Sequence, residues 1–172
     1  GMLITDDKEI ADEARALRNH GRDESGEHVT LGLNYRLDEF KAAVGLEQLK
    51  HIKDWNESRN EAAQKYTAEL SDIDEVTTPT EAPNAYHVYH LYVIQVPDRD
   101  DLREYLDERG VDTGIHYETP AHEHSPIIDQ CGEVTLERTE RLCDRIVSLP
   151  MHPRITDEEI DYVCKTIAEY YE

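Results

Sequence analysis

Two short runs carry side chains able to do chemistry. Residues 32–36 read GLNYR, which sets an amide (Asn34), a phenol (Tyr35) and a fixed cation (Arg36) side by side. At the entrance to a helix such a cluster can present donors to an anionic ligand. The plain alternative is a loop whose Arg36 pairs with surface carboxylates. Residues 113–117 read TGIHY, with Pro120, His122 and His124 close behind. Open α/β sheets place ligand groups at strand ends, and His116 could donate a hydrogen bond or carry a proton near neutral pH. A metal site from His116, His122 and His124 is a sharper alternative, but no spacing rule supplies an acidic fourth ligand and two of the three fall in a loop. No metal is therefore expected. His87 and His90 alternate with aromatics in YHVYHLY and are expected to be packed or interface histidines. The chain has no GxGxxG, HExxH or GxSxG run, so neither run amounts to a complete active site.

The elements that must hold these runs follow from periodicity. Met2 to Thr5 is a short apolar run, expected to be the last strand of something larger. Asp6, with Glu9 three residues on, is placed to cap a helix through Ile10, Ala14 and Leu17 that Gly21 stops. Residues 22–33 have no period and are expected to form a loop. From Leu37 to Leu70, residues such as Phe40, Val44, Leu49, Ile52, Trp55 and Tyr66 recur at helical steps without a proline. An unbroken helix there would be about 50 Å long at 1.5 Å per residue, so it bends or joins two lobes, and a joining helix is the simpler account. Pro79 and Pro83 then interrupt the chain, and residues 86–96 read as a strand ending at Pro97. Asp98 or Asp100 can cap a helix through Leu102 and Leu106 to Gly110. Residues 111–117 alternate as a second strand that points His116 and Tyr117 to opposite faces. A loop over residues 118–133 leads to a helix carrying Leu142, Ile146 and Val147, ended by Pro150. Thr156 with Glu159 makes a second capping box ahead of Ile160, Val163, Cys164, Ile167 and Tyr171. Strand, helix, strand, helix, helix from Tyr86 onward makes a small α/β lobe with a helix-covered sheet.

Composition narrows the partners. The 172 residues hold 39 Asp+Glu against 18 Lys+Arg, a formal net charge of −21. Phosphate backbones and anionic lipid surfaces are bound mainly through Lys and Arg, so neither nucleic acid nor membrane is an expected partner. No apolar run approaches the roughly 20 residues of a membrane span, and no basic-then-apolar leader opens the chain; a cytoplasmic location is expected. Cys131, Cys143 and Cys164 form no CxxC pair and leave an odd count, which argues against a disulfide framework or a cysteine zinc site. Only six of the basic residues are lysines. An acid-rich, lysine-poor surface suits a cytoplasm with molar salt; an acidic mesophilic protein is the alternative.

The segments MLITDD, RNHG, GLNYRLDEFKAAVGLEQL, YHVYHLYVI, GVDTGIHY, SLPMHP and TDEEIDYV together resemble the DegT/DnrJ/EryC1/StrS group of sugar aminotransferases, a branch of the type I pyridoxal-phosphate fold. The resemblance runs in order over nearly the whole chain. It implies an α/β fold in which residues 1–55 end the large cofactor domain, residues 56–85 continue a linking helix and linker, and residues 86–172 form the small C-terminal domain. It implies a homodimer that passes an amino group from an amino acid such as glutamate, through pyridoxal 5'-phosphate, to a keto sugar nucleotide. On the matching motifs, Asn34 resembles the residue that reaches the neighbouring subunit's cofactor phosphate, with Tyr35 and Arg36 beside it. His116 and Tyr117 resemble substrate-side residues, and His122 resembles one at the sugar-nucleotide entrance. The chain departs from the family pattern where the chemistry is hardest. The family's Schiff-base lysine lies shortly upstream of the segment that Gly1 and Met2 resemble, and none of the six lysines stands in its motif. No catalytic residue is assigned, and this chain alone is expected to bind the cofactor weakly or not at all and not to transaminate. A non-catalytic binding or dimerisation module, or part of a dehydratase with histidine in the lysine's place, remains open.

Overall fold

The computed structural model, which describes residues 2–172, divides into two compact units, Gly1–His51 and Ile52–Glu172. In the first unit, residues 2–4 are exposed, and residues 2–5 form no strand among the described residues, so the expected strand is absent; a strand exists only where another chain segment takes its N–H and C=O groups. Helix α1 (Lys8–Arg18) is capped one residue later than expected. The Asp7 carboxylate, not that of Asp6, accepts the N–H groups of Glu9 and Ile10, the reach that an N-cap side chain needs.

The chain leaves α1 through His20 (φ 62°) and Gly21 (φ 73°) and then folds back along it. Leu33 N–H donates to Leu17 O at 2.8 Å, and Tyr35 N–H to Arg18 O at 2.9 Å. This return needs two glycines. A Cβ on Gly32 would sit 2.1 Å from Gly21 N, and one on Gly21 would sit 1.8 Å from Thr30 O, closer than any side chain can approach. Asp38 then caps α2 (Glu39–Leu49) by accepting the Lys41 N–H at 2.8 Å. No residue of α2 is buried, and Phe40, Leu46 and Leu49 stand exposed.

The unbroken helix expected from Leu37 to Leu70 is two helices. At the end of α2, Lys50 N–H turns to Glu47 O and His51 N–H to Gln48 O. These three-residue bonds tighten the last turn and close the ladder, and α3 (Ile52–Leu70) starts afresh. Neither proline nor glycine marks the break.

In the second unit, β1 (Tyr92–Gln95) pairs antiparallel with β2 (Ile146–Leu149), Tyr92 opposite Leu149 and Gln95 opposite Ile146. Three expectations need correction. The strand over residues 86–96 shrinks to β1, because Tyr89 takes a left-handed φ of 43° and His87 O is held by the Asn60 amide at 2.7 Å. The strand over residues 111–117 reduces to one bridge between Gly114 and Ser148. The helix expected to carry Ile146 and Val147 stops early. It is α6 (Glu137–Cys143); past Asp144 and Arg145 the four residues Ile146–Leu149 form β2, three of them buried, a continuous short buried run of the kind that suits a covered strand.

Helix α4 (Arg99–Asp107), a 3₁₀ turn (Ala121–Glu123), α5 (Ser125–Cys131) and α7 (Asp157–Tyr171) complete the unit. Asp98 precedes α4 but makes no cap bond; its carboxylate instead accepts the hydroxyls of Tyr170 and Tyr171, each at 2.7 Å. The Thr156–Glu159 capping box of α7 is present in full. Helix α3 packs on α7, and α4 packs on both α7 and β2. Tyr66, Leu70, Tyr92, Ile94, Leu102 and Ile167 lie between them with no exposed surface. Tyr66 stacks on Tyr92 with ring centres 5.0 Å apart.

Candidate functional site

In the first unit, GLNYR is positioned by the chain's return along α1, through the bonds of Leu33 and Tyr35 and a bridge between Asn19 and Asn34. Arg36 Nε donates to Asn34 Oδ1 at 3.1 Å. Since that bond occupies the amide's acceptor, the Asn34 NH₂ and the rest of the guanidinium remain available as donors. Asn34, Tyr35 and Arg36 are all exposed. The three make a small, donor-rich surface suited to an anionic oxygen. Arg36 also lines an open groove of about 890 Å³ with Arg15, Arg18 and Arg22, but Asp12, Glu13, Asp23 and Glu24 line it too, so its charge is mixed. Besides Arg36, two of these arginines are already engaged, Arg15 by Asp12 at 2.9 Å and Arg22 by His28 at 3.1 Å.

In the second unit, His116 is exposed and fixed from behind. Its Nδ1 lies 2.9 Å from the Oγ of Ser148, a buried residue of β2. Gly114 and Ser148 exchange both backbone bonds, at 3.0 and 2.8 Å. His116 and Tyr117 are not split to opposite faces as expected: their rings stand edge to face, 6.5 Å between centres. Tyr117 is 79% exposed.

His122 turns inward, only 9% exposed. Its Nε2 meets Glu140 Oε1 at 3.0 Å, and the same oxygen accepts the Leu136 N–H at 2.7 Å. The Leu136 N–H first, and His122 second, hold the Glu140 carboxyl below the usual carboxylate range. Thus the three histidines weighed as a metal site are not brought together. Among the described residues, the His and carboxylate atoms close enough to share an ion are those of His122, Glu123 and Glu140, within 4.8 Å of one another. Glu140 is already committed there to His122 and to the helix start.

A cofactor held as an imine needs a neutral, desolvated lysine amine. The lysines here do not fit that need. Lys8, Lys41, Lys50, Lys65 and Lys165 each face a carboxylate, and Lys53 is exposed. The hydrogen bonds that Lys8 and Lys65 donate to Asp12 and Asp161 hold their ammonium groups above the ordinary range. Cys164 is no substitute nucleophile, because burial pushes its thiol up, which keeps it protonated.

Reading the sequence alone passed over Ser148 and Gly114. A lone hydroxyl within the apolar run IVSL was the available signal, since a buried hydroxyl must find a partner.

Comparison with known proteins places this geometry. The model of the DegT/DnrJ/EryC1/StrS aminotransferase family matches residues 1–168. A pleiotropic regulatory protein of Geobacillus stearothermophilus is 39% identical over 99% of this chain and 47% of its own length. The dTDP-3-amino-3,4,6-trideoxy-alpha-D-glucose transaminase of Streptomyces venezuelae is 35% identical over 100% of this chain and 46% of its own. Among solved structures, S. venezuelae DesV in complex with a ketimine intermediate superposes with a TM-score of 0.87 at 32% identity, over 98% of this chain and 46% of that one. The chain therefore spans about half the length of the relatives it matches, and it is a portion of the type I pyridoxal-phosphate aminotransferase fold, mostly helical with a small two-stranded sheet. With the family model matched almost end to end, the chain belongs to the DegT/DnrJ/EryC1/StrS aminotransferase family.

Proposed function

We propose that this chain is the C-terminal part of an enzyme that moves an amino group from an amino acid, glutamate in the first instance, to the keto group of a nucleotide-linked sugar. The observation that carries the reading is the near end-to-end family match, joined to relatives whose names specify sugar transamination. Pyridoxal phosphate, when bound, supplies the electron sink for such chemistry. The lysines present do not fit it as an imine, so the 172-residue chain is inactive by itself, and the lysine belongs to an upstream segment of the parent. In a homodimeric parent, the Asn34 NH₂ donates to the neighbour's cofactor phosphate, and Tyr35 and Arg36 border the same ligand. His116 and Tyr117 orient the sugar nucleotide from the small domain. His122, which is largely buried, acts at the entrance by holding the loop through Glu140. Residues 1–55, 56–85 and 86–172 correspond to the end of the large domain, the linker and the small domain, and the enzyme works in the cytoplasm.

A second reading, a binding or dimerisation module without catalysis, is favoured by the exposed apolar residues of α2 and by the lysines engaged with carboxylates. One experiment separates the two. The native polypeptide is purified from the source cells, treated with borohydride and mapped for a reduced cofactor–lysine adduct, and both it and the 172-residue chain are assayed for glutamate-dependent amination of keto sugar nucleotides. The expected result is a longer, active native protein modified on an upstream lysine, and an inactive short chain. A sole native species of 19.9 kDa, or a parent with histidine at the imine position, would overturn the aminotransferase reading.

A further inference from the structure

We propose that Ser148 is a positioning residue that locks the exposed imidazole of His116 as its Nε2–H tautomer, so that this side chain meets a ligand as a neutral hydrogen-bond donor to an oxygen atom. The inference rests on the reading above only in taking His116 as ligand-facing.

A neutral histidine carries one N–H and one bare nitrogen, and the partner of one nitrogen decides what the other offers. Ser148 Oγ lies 2.9 Å from Nδ1, within the range of a good hydrogen bond. Ser148 is 4% exposed, and among the described residues its hydroxyl has no other partner. A buried O–H left without an acceptor is costly, and Nδ1 is the acceptor within reach. The hydroxyl therefore donates to Nδ1, which puts the ring proton on Nε2. Nε2 has no hydrogen-bond partner among the described residues, and His116 is exposed, so the N–H is free for an incoming oxygen.

The ring cannot easily leave this arrangement. Ser148 sits in β2, pinned on one edge against Val93 of β1 and on the other by its two backbone bonds to Gly114. The imidazole lies over Gly114. A Cβ on that residue would stand 2.9 Å from His116 Cε1 and 3.4 Å from Nδ1, so the glycine makes the room the ring occupies. Strand, bridge and missing side chain together hold Nδ1 against the hydroxyl. A general base at His116 would need a bare Nε2, which this lock denies. The role that follows is recognition, a donor to a sugar hydroxyl, carbonyl or phosphate oxygen.

The test is nitrogen NMR of the 172-residue chain, labelled at histidine, with His116 assigned by its loss in His116→Gln. The expected spectrum shows Nδ1 with the shift of an unprotonated ring nitrogen and Nε2 with that of an N–H. In Ser148→Ala the tautomer ratio should relax by about fivefold to tenfold, the worth of one hydrogen bond, while Ser148→Thr keeps the hydroxyl and restores the lock. A wild-type spectrum with the proton on Nδ1 would overturn the proposal whether or not any variant folds. An unchanged ratio in a folded Ser148→Ala would overturn it too. None of these readouts depends on turnover, so a parent that transaminates with His116 protonated at Nδ1 defeats this inference alone, and an inactive parent with the expected tautomer defeats only the reading above.

Discussion

Tyr66 and Tyr92 show what burial does to a polar side chain that keeps its hydroxyl satisfied. Tyr66 donates to Pro150 O at 3.0 Å. Thr67 gives its own proton to Ala63 O at 2.9 Å, which leaves Tyr92 Oη as the donor in its 2.7 Å contact with Thr67 Oγ1. Burial pushes Tyr92 from 10.0 up to about 12, against a smaller lowering from its hydrogen bond with Thr67, and burial raises Tyr66 further. A raised tyrosine stabilises nothing below pH 10, where both states are neutral. Between pH 10 and about 12 the unfolded chain ionises while the folded one does not, so stability falls by roughly 1.4 kcal/mol per pH unit for each such group. Urea unfolding between pH 9 and 12 should show that decline, and Tyr92→Phe should remove one tyrosine's share of the slope. An identical slope in the variant would mean that Tyr92 ionises freely in the native state.

Among the elements, the hairpin-like return after α1 depends on two glycines more than on any apolar contact. Gly32→Ala places a Cβ 2.1 Å from Gly21 N and 2.7 Å from Leu17 O, where neither backbone can yield cheaply. The Leu33–Leu17 and Tyr35–Arg18 bonds should then open, and amide hydrogen exchange at Leu33 and Tyr35 should speed by tenfold or more, with the residues of α7 unchanged. Protection retained at both amides would show that the return does not need the close approach. The same region shows what could be read without a structure. The Asp–helix–Gly grammar of α1 and the Thr156–Glu159 box are local and were legible. What was not legible was decided at a distance. Ile146 and Val147 suit a helix or a strand equally by pattern, and only pairing with β1 settles the choice. The alternation over residues 111–117 promised a strand, yet only Gly114 finds a partner, because β2 offers that edge at Ser148 alone. The helix break at Lys50–His51 carries no breaker residue at all. At the candidate site, GLNYR and TGIHY were visible as motifs, whereas the serine that orients His116 lies 32 residues further along the chain.

For the whole molecule, charge is the dominant feature. A formal −21 spreads over a surface whose ion pairs are mostly exposed, such as Lys8–Asp12 and Lys165–Glu169, and exposed pairs contribute little. At about 1 M salt the screening length is roughly 3 Å, which removes repulsion between distant carboxylates while costing only those weak pairs. We propose a halophilic protein on this ground. The expected outcome is a melting temperature that climbs from low salt to molar KCl. One that stays level or drops would assign the acidity to an ordinary mesophilic surface.

The two units differ sharply in what they bury. Tyr66, Ile94, Leu106 and their neighbours make a continuous core within Ile52–Glu172, while Ala16 is the buried apolar side chain of Gly1–His51 among the described residues. A calorimeter would register that asymmetry as missing heat. Ordinary domains absorb about 0.7 kcal/mol per residue near 60 °C, and a segment without an interior has little enthalpy to give up. Divided by 172 residues the endotherm would look deficient, and divided by the residues after His51 it would look normal, so the two-state arithmetic usually applied to a small protein holds here for only part of the chain.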